Sequence, residues 1–478
     1  MQFNSYSYLG MLLLTVAVFW ALPVCARRWY VLAVSIGFYA TWSPTFVVVP
    51  VVLCIGVFFM AQSVSASGKS DWYVAALTYA LAFLIVFRYQ GAIGAALGAL
   101  AKGFRLAPGR TMFQVVVPLG ISFYTLEAVS YLIDVRQKRV QPVRFSDLYL
   151  FVMFWPHLIA GPIVRFNELK PQFRFEKKFA IPMLIAGMDR LVWGLVQKNV
   201  LADPLGRFVA EGFSVQDSMA NTPLDNWFLA VAFGLQIYFD FAAYSNMAIG
   251  AASMIGLTLP ENFRFPYWAS NPSDFWQRWH ITLSRWIRDY LFFPINLRFQ
   301  GAPLPLYVSL LGIMGVVGLW HGVGWGFIVF GLMHGCYLTA YRIWEKLRQG
   351  LLPAAGPSRL ALALWRVATL VAVIAAWVPF RAATVQQAAA MLRSMFFGFN
   401  PRISFSLDSY LVTLLVCAVC ALEPFLKDWI DKLDGLTQRN AQLALANTHL
   451  VRPALYAFGL LLFVIFDDRT TQFIYFQF

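Results

Sequence analysis

GVVGLWHGVGWGFIVFGLMHG, residues 315–335, is apolar enough to lie in a bilayer, yet it carries His321 and His334 among repeated glycines. Ionisable groups at membrane depth are costly and by default mark a site or a pathway. Trp320 precedes His321, and Gly322, Gly324 and Gly326 follow it. Where side chains are missing, another backbone or a substrate can approach closely, so the imidazole is expected to face an opening. Titration near neutral pH suits histidine to taking a proton from a hydroxyl. The competing reading is a core histidine bonded to a neighbouring carbonyl. His334 lies 13 residues further on, about 20 Å along a continuous helix. Unless the chain breaks between them, the two histidines cannot share a site, and His334 reads as packing.

The rest of the chain agrees with a membrane setting. Of 478 residues, 60% are hydrophobic and only 13% are charged, against about 25% in a soluble domain. The net charge of +14 would suggest nucleic acid for a soluble protein. Here Lys and Arg fall between apolar runs, as the positive-inside rule expects, and nucleic acid is set aside as a partner in favour of lipid. Residues 8–26 form a first apolar run with no basic segment before it and Arg27 and Arg28 after it, so it reads as a retained span with its N-terminus outside.

Further apolar runs follow at about 29–61, 72–87, 112–133, 148–164, 180–197, 227–259, 304–341, 359–380, 408–426 and 451–466. At about 20 residues per crossing they allow about ten to twelve spans in an all-α polytopic body. The loops at 88–110, 134–147 and 165–179 are all basic, with Lys102, Arg105, Arg136, Lys138, Arg139, Lys177 and Lys178. Strict alternation of sides therefore fails, and some segments are expected to enter and return on one side. Such backbone needs surrounding protein or a water-filled cavity. No soluble domain interrupts the pattern, so residues 1–478 read as one domain, with Lys427–Asn447 as an exposed connection.

A second histidine lies in NPSDFWQRWHITLSRWIRDYL, residues 271–291. Asn271, Pro272 and Asp274 have the form of a helix start, and a helix is expected through Leu291. At 100° per residue Trp276, Trp279, Leu283, Trp286, Ile287 and Tyr290 share one arc, with Arg278, Arg285 and Arg288 opposite. That pattern suits an interfacial helix with tryptophans at headgroup depth. His280 sits at the border of the arc, one turn from Gln277 and Ser284.

Glu127, Asp134 and Asp240 are also set in apolar surroundings, where hydrogen bonds to nearby Tyr, Ser and Asn are expected. Cys417 and Cys420 form a CxxC without two further ligands nearby, so they read as small packing residues and no metal is expected. No GxSxG elbow, P-loop or HExxH motif occurs.

Four stretches carry a family resemblance: GISFYTLEAVSYLIDV (120–135), HLIAGPIVRF (157–166), the block from QIYFDFAAYSNM to RDYLFFPI (236–295) and GLWHGVGWGFIVFGLMHG (318–335). The terminal QFIYFQF is similar too. They resemble the membrane-bound O-acyltransferase family, closest to its bacterial branch that acetylates alginate and other polysaccharides. One departure is the stretch NLRFQGAPLPLYV at 296–308, where the family usually carries a Gly-Gly-Asn-Arg loop.

The resemblance implies a helical body around a tunnel in the bacterial inner membrane, with His321 as the catalytic histidine and His280 as a second functional position. It implies a cytosolic thioester donor, acetyl-CoA, and no resident cofactor. Trp320, Gly322, Gln277, Ser284, Arg278 and Arg285 become candidates for lining the tunnel or holding the donor, the arginines through its phosphates. A separate periplasmic partner of the SGNH-hydrolase type would place the acetyl group on an exopolysaccharide. Two other readings stay open: a polysaccharide or lipid-linked sugar flippase that works through Glu127 or Asp240, and a non-catalytic membrane scaffold.

Overall fold

The structure, a computed structural model, describes residues 1–103, 117–214, 221–299, 303–351, 358–437, 447–467 and 473–474. Among these residues every regular element is helical. Six helices are long and apolar enough to cross a membrane: Pro44–Ser67, Ser70–Ala96, Pro223–Met254, Arg359–Arg381, Leu407–Leu436 and Asn447–Ile465. Shorter apolar helices occur at Tyr6–Ala21 and Pro305–His321.

The apolar run 148–164 is divided into pieces too short to cross. Residues 148–164 contribute to Phe145–Met153 and Trp155–Leu158, separated by non-helical Phe154. Nine residues rise about 13.5 Å, less than half of the roughly 30 Å hydrocarbon core. Leu148 to Trp155 are all buried, which is the condition under which irregular backbone is tolerated at membrane depth. Arg105, residues 300–302 of the departing loop and all of QFIYFQF except Phe473 and Ile474 lie outside the described residues.

The chain divides into two compact units. The first comprises Met1–Gly187 with Ala248–Pro260. At its centre the helix Ile121–Arg136 is buried at every residue from Ile121 to Val135, as expected of a helix apolar on all sides. Glu127 does not turn to Tyr, Ser or Asn as the sequence suggested; its Oε1 lies 2.9 Å from His157 Nδ1, with both side chains buried. Asp134 pairs with Arg139 at 3.4 Å. Arg27 and Arg28 are not loop charges but belong to the helix Val24–Ala40. Arg27 donates to the carbonyls of Leu22, Phe175 and Lys177, and Arg28 pairs with Asp147 at 2.5 Å. A buried guanidinium with five fixed donors can tie several chain segments at once.

The second unit comprises Met188–Met247 with Glu261–Phe478. Its Asp240 also differs from expectation, for it lies 3.0 Å from Lys198, which in turn lies 2.7 Å from Asp203. The amide of Ile474 donates to Asp240 Oδ2 at 2.7 Å, and the Phe473 ring packs on Tyr244 and Phe241, with centroids 4.2 and 6.1 Å away. The polar end of the helix Leu407–Thr437 carries exposed i,i+4 pairs, Lys427–Asp431 and Lys432–Asp428, as suits a solvated extension.

The glycine-rich stretch folds as a helical hairpin, Pro303–His321 followed by Trp325–Leu351. Its glycines mark close helix crossing rather than open space. A Cβ at Gly318 would overlap the Phe327 carbonyl, one at Gly331 the Met314 carbonyl, and one at Gly326 the Pro379 carbonyl. Gly322 is covered by the Phe327 ring. Small residues let helix backbones approach where apolar burial supplies no driving force in lipid. Gly331→Val should therefore destabilise the fold by about 1–3 kcal/mol through overpacking, seen as a lower aggregation midpoint of the detergent-solubilised protein. Gly312→Ala, where nothing lies within 4 Å, should leave that midpoint unchanged; equal midpoints for both variants would refute the role of the crossing.

Candidate active site

The segment around His280 starts as its sequence suggests. Asn271 caps the helix Pro272–Arg278 and accepts from the Asp274 amide at 2.8 Å. It does not run on to Leu291. Trp279 is extended at φ −95°, ψ 129°, and His280 adopts φ 41°, ψ 55° in the left-handed region before Ile281–Ile287 begins. For a non-glycine residue this conformation costs about 1–3 kcal/mol and needs neighbours that over-determine it.

Asn262 supplies them. Its backbone carbonyl accepts from the Ile281 amide at 2.8 Å. Its side-chain oxygen lies 3.0 Å from His280 Nδ1 and accepts from Thr282 Oγ1 at 2.9 Å and the Thr282 amide at 3.4 Å. The Asn262 amide nitrogen donates to Ser245 Oγ at 3.1 Å. With the amide oriented in this way, an oxygen that can only accept faces Nδ1, so Nδ1 carries the hydrogen and neutral His280 keeps its lone pair on Nε2. Burial, and secondarily the imidazole of His321, hold His280 well below the usual histidine range.

The break also changes the arc. Trp276, Trp279, Leu283, Trp286 and Tyr290 are buried in protein, so the tryptophans form core rather than a headgroup belt. Gln277 is exposed, and Ser284 donates across the break to the Trp279 carbonyl at 3.2 Å. Arg278 is held by Asp274 at 2.6 Å and Arg288 by Asp289 at 2.7 Å. Arg285 is exposed and forms no ion pair among the described residues, which leaves it the least compensated of the three.

His321 ends the first arm of the hairpin and is 3% exposed. Trp320 stands between the histidines, its ring centroid 6.2 Å from His280 and 4.9 Å from His321. Phe241 closes on His280 at 4.7 Å, and Phe380 and Phe330 close on His321 at 5.3 and 5.9 Å. The chain does break between His321 and His334, at the hairpin turn, so the continuous-helix separation does not apply. Phe330 touches both imidazoles, lying 4.7 Å from His334, and His334 stacks on Phe275 at 5.7 Å. His334 is thus part of the same aromatic cluster.

Two imidazoles from segments 41 residues apart are brought to one aromatic ring in an apolar setting, where proton transfer and hydrogen bonding act with little screening. Among the described residues no three His, Cys, Asp or Glu side chains gather as a metal site, and Cys417 and Cys420 are free thiols. The residue that sequence analysis missed is Asn262; its bond spans 18 positions, and no helical period could reveal it.

Residues 32–380 match the family model described as MBOAT, membrane-bound O-acyltransferase family. The chain belongs to this family. It is 33% identical over 403 residues to the probable alginate O-acetylase AlgI of Azotobacter vinelandii, an alignment covering 83% of this chain and 78% of that protein. It is 31% identical over 404 residues to the peptidoglycan O-acetyltransferase of Helicobacter pylori, covering 78% and 74%. Similarity extends to the teichoic acid D-alanyltransferase of Bacillus subtilis, at 28% over 241 residues, covering 48% and 60%. With six candidate spans, this membrane-bound O-acyltransferase is a multi-pass membrane protein.

The Asn262 anchor makes a testable statement about pH. Neutral His280 is lost as pH falls through its depressed pKa. Asn262→Asp places a carboxylate beside the imidazole and raises that pKa, by about one unit or more. The acidic limb of the acyl-transfer profile should move to higher pH by the same amount, while Asn262→Ala should lower the rate without that upward shift. An unmoved limb in Asn262→Asp would show that protonation of His280 does not set it.

Proposed function

We propose that this O-acyltransferase takes an acetyl group from cytosolic acetyl-CoA and passes it across the inner membrane to a periplasmic SGNH-hydrolase-type partner, which places it on an exopolysaccharide. The observation that carries this reading is the pair of buried imidazoles flanking Trp320, one with its tautomer set by Asn262. The relatives named as acetylases of alginate and peptidoglycan support acetyl as the group moved and a cell-envelope polymer as its destination. Residues 1–478 act as a single acyltransferase domain without a resident cofactor, and a tunnel brings donor and acceptor together.

In this mechanism His321 takes the proton from the acceptor hydroxyl as its oxygen attacks the thioester carbonyl. The carbon–sulfur bond breaks, the acetyl ester forms, and the proton passes to the leaving thiolate, so the products are the ester and free CoA thiol. Because His280 holds its hydrogen on Nδ1 toward Asn262, its Nε2 is an acceptor. Donation to the developing oxyanion would require a protonated ring, which burial disfavours. The geometry therefore supports an orienting role for His280, as acceptor of a hydrogen bond from the reacting groups. Arg285 is the arginine best able to attract the donor's phosphates, since Arg278 and Arg288 are already paired.

A flippase acting through Glu127 or Asp240 is less well supported. Each carboxylate is tied to a buried partner, His157 or Lys198. The deciding experiment compares wild type with His321→Ala at matched membrane levels in the native host and quantifies alkali-released acetate from purified envelope polysaccharide. The expected loss is at least about 100-fold, the scale of a general-base contribution. Equal acetate in the two strains would overturn the acetyltransferase reading.

A further inference from the structure

We propose that the turn Gln197–Ala202 is a positioning element for acyl transfer, in which Gln197 and Lys198 hold the helix Pro223–Met254 in the orientation that seats His280. This rests on His280 taking part in the reaction and adds what fixes it there. The turn is π-helical, a rare geometry that occurs mostly as single turns and frequently at functional sites. Gln197 and Lys198 are adjacent and fully buried, at 1% and 0% exposure. Polar side chains at such depth are costly unless paired, and both of these reach the same helix. Gln197 Oε1 accepts from Asn246 Nδ2 at 2.7 Å, and Lys198 Nζ lies 3.0 Å from Asp240 Oδ1.

Those two attachment points bracket the face that meets the histidine. Phe241 follows Asp240 and Ser245 precedes Asn246, and residues spaced as Phe241 and Ser245 are share one face of a helix. The Phe241 ring closes on His280 at 4.7 Å, and Ser245 Oγ accepts from the Asn262 amide nitrogen at 3.1 Å. A second line runs from the turn to Asn262 itself. Arg190 donates to Asn246 Oδ1 at 2.7 Å and also pairs with Glu261, the residue before Asn262. Gln197, Asn246, Arg190 and Glu261 therefore form one polar chain that ends beside the anchor of His280. The aromatic wall and the anchor are held from the same turn, and a rotation of the helix would displace both. A misplacement of about 1 Å is enough to cost about 100-fold in rate.

The test measures acetyl transfer from added acetyl-CoA in inverted membrane vesicles of the native host carrying the full chain, across acetyl-CoA concentration and pH. Asn246→Leu keeps the size of the side chain and removes its bonds to Gln197 and Arg190. Asp240→Asn keeps an oxygen for the Ile474 amide, turns toward Lys198 an amide that cannot pair with it, and leaves Lys198 bound to Asp203. Each variant should lower kcat about tenfold or more with the KM for acetyl-CoA unchanged. Each should also move the acidic limb of the profile to higher pH, because a loosened wall admits water to His280, while its titratable neighbour His321 is untouched. Asn246→Asp retains an acceptor for Arg190 and, with the Gln197 amide turned, one for Gln197, and should keep most of the wild-type rate. A fall in rate with an unmoved limb, or equal losses in Asn246→Leu and Asn246→Asp, would show that the turn only stabilises the fold and would overturn the positioning role. An unchanged kcat in Asn246→Leu and Asp240→Asn overturns it as well. If His280→Ala transfers acetyl at the wild-type rate, the fault lies instead in the participation of His280, and the proposal falls with it.

Discussion

The close crossing of two apolar helices is the contact on which the second unit's site depends. In lipid, helices gain nothing from merely burying leucine against leucine, so association rests on backbone approach and shape. Gly318 and Gly331 each face a carbonyl oxygen of the other arm that any larger residue would strike, and Gly326 likewise faces the Pro379 carbonyl of the helix Arg359–Arg381. The hairpin that results brings His321 to the end of one arm and Phe330 and His334 onto the other, where a single aromatic ring touches both imidazoles. A straight helix would have carried His334 far from His321.

The second constraint is a polar anchor strong enough to break a helix. One asparagine satisfies the Ile281 amide, the Thr282 hydroxyl and the His280 ring at once. In a low-dielectric interior an unsatisfied donor is expensive, so the strained His280 backbone is offset by satisfying several donors together. The same anchor selects the ring's tautomer, which links backbone geometry directly to proton chemistry. It also withdraws the neighbouring tryptophans from the interface and into the core.

Buried charge elsewhere in the chain follows the same physics. Glu127 meets His157 in the first unit, and Asp240 and Asp203 share Lys198 in the second. Charges at such depth persist only when paired and hydrogen-bonded. Glu127–His157 and Lys198–Asp240 join residues 30 and 42 positions apart, with no local sign of contact, whereas Lys198 and Asp203 are near neighbours in the chain. That Asp240 precedes Phe241, whose ring closes on His280, puts the Lys198 cluster one residue from the aromatic wall of the site.

Much of this protein was legible in its residues alone. Composition and apolar runs determined an all-α membrane body, since only helices or closed barrels satisfy backbone groups in lipid. The cap at Asn271 was readable because capping is local, and the motifs around His280 and His321 pointed to the family. The tertiary structure decided what those motifs do in space. It showed glycines as crossing points instead of an opening, a helix ended at His280 instead of Leu291, and carboxylates paired with Lys and His. Periodicity reports which face of one element is apolar, whereas the Asn262 anchor and the hairpin crossing are contacts between segments that no local period encodes.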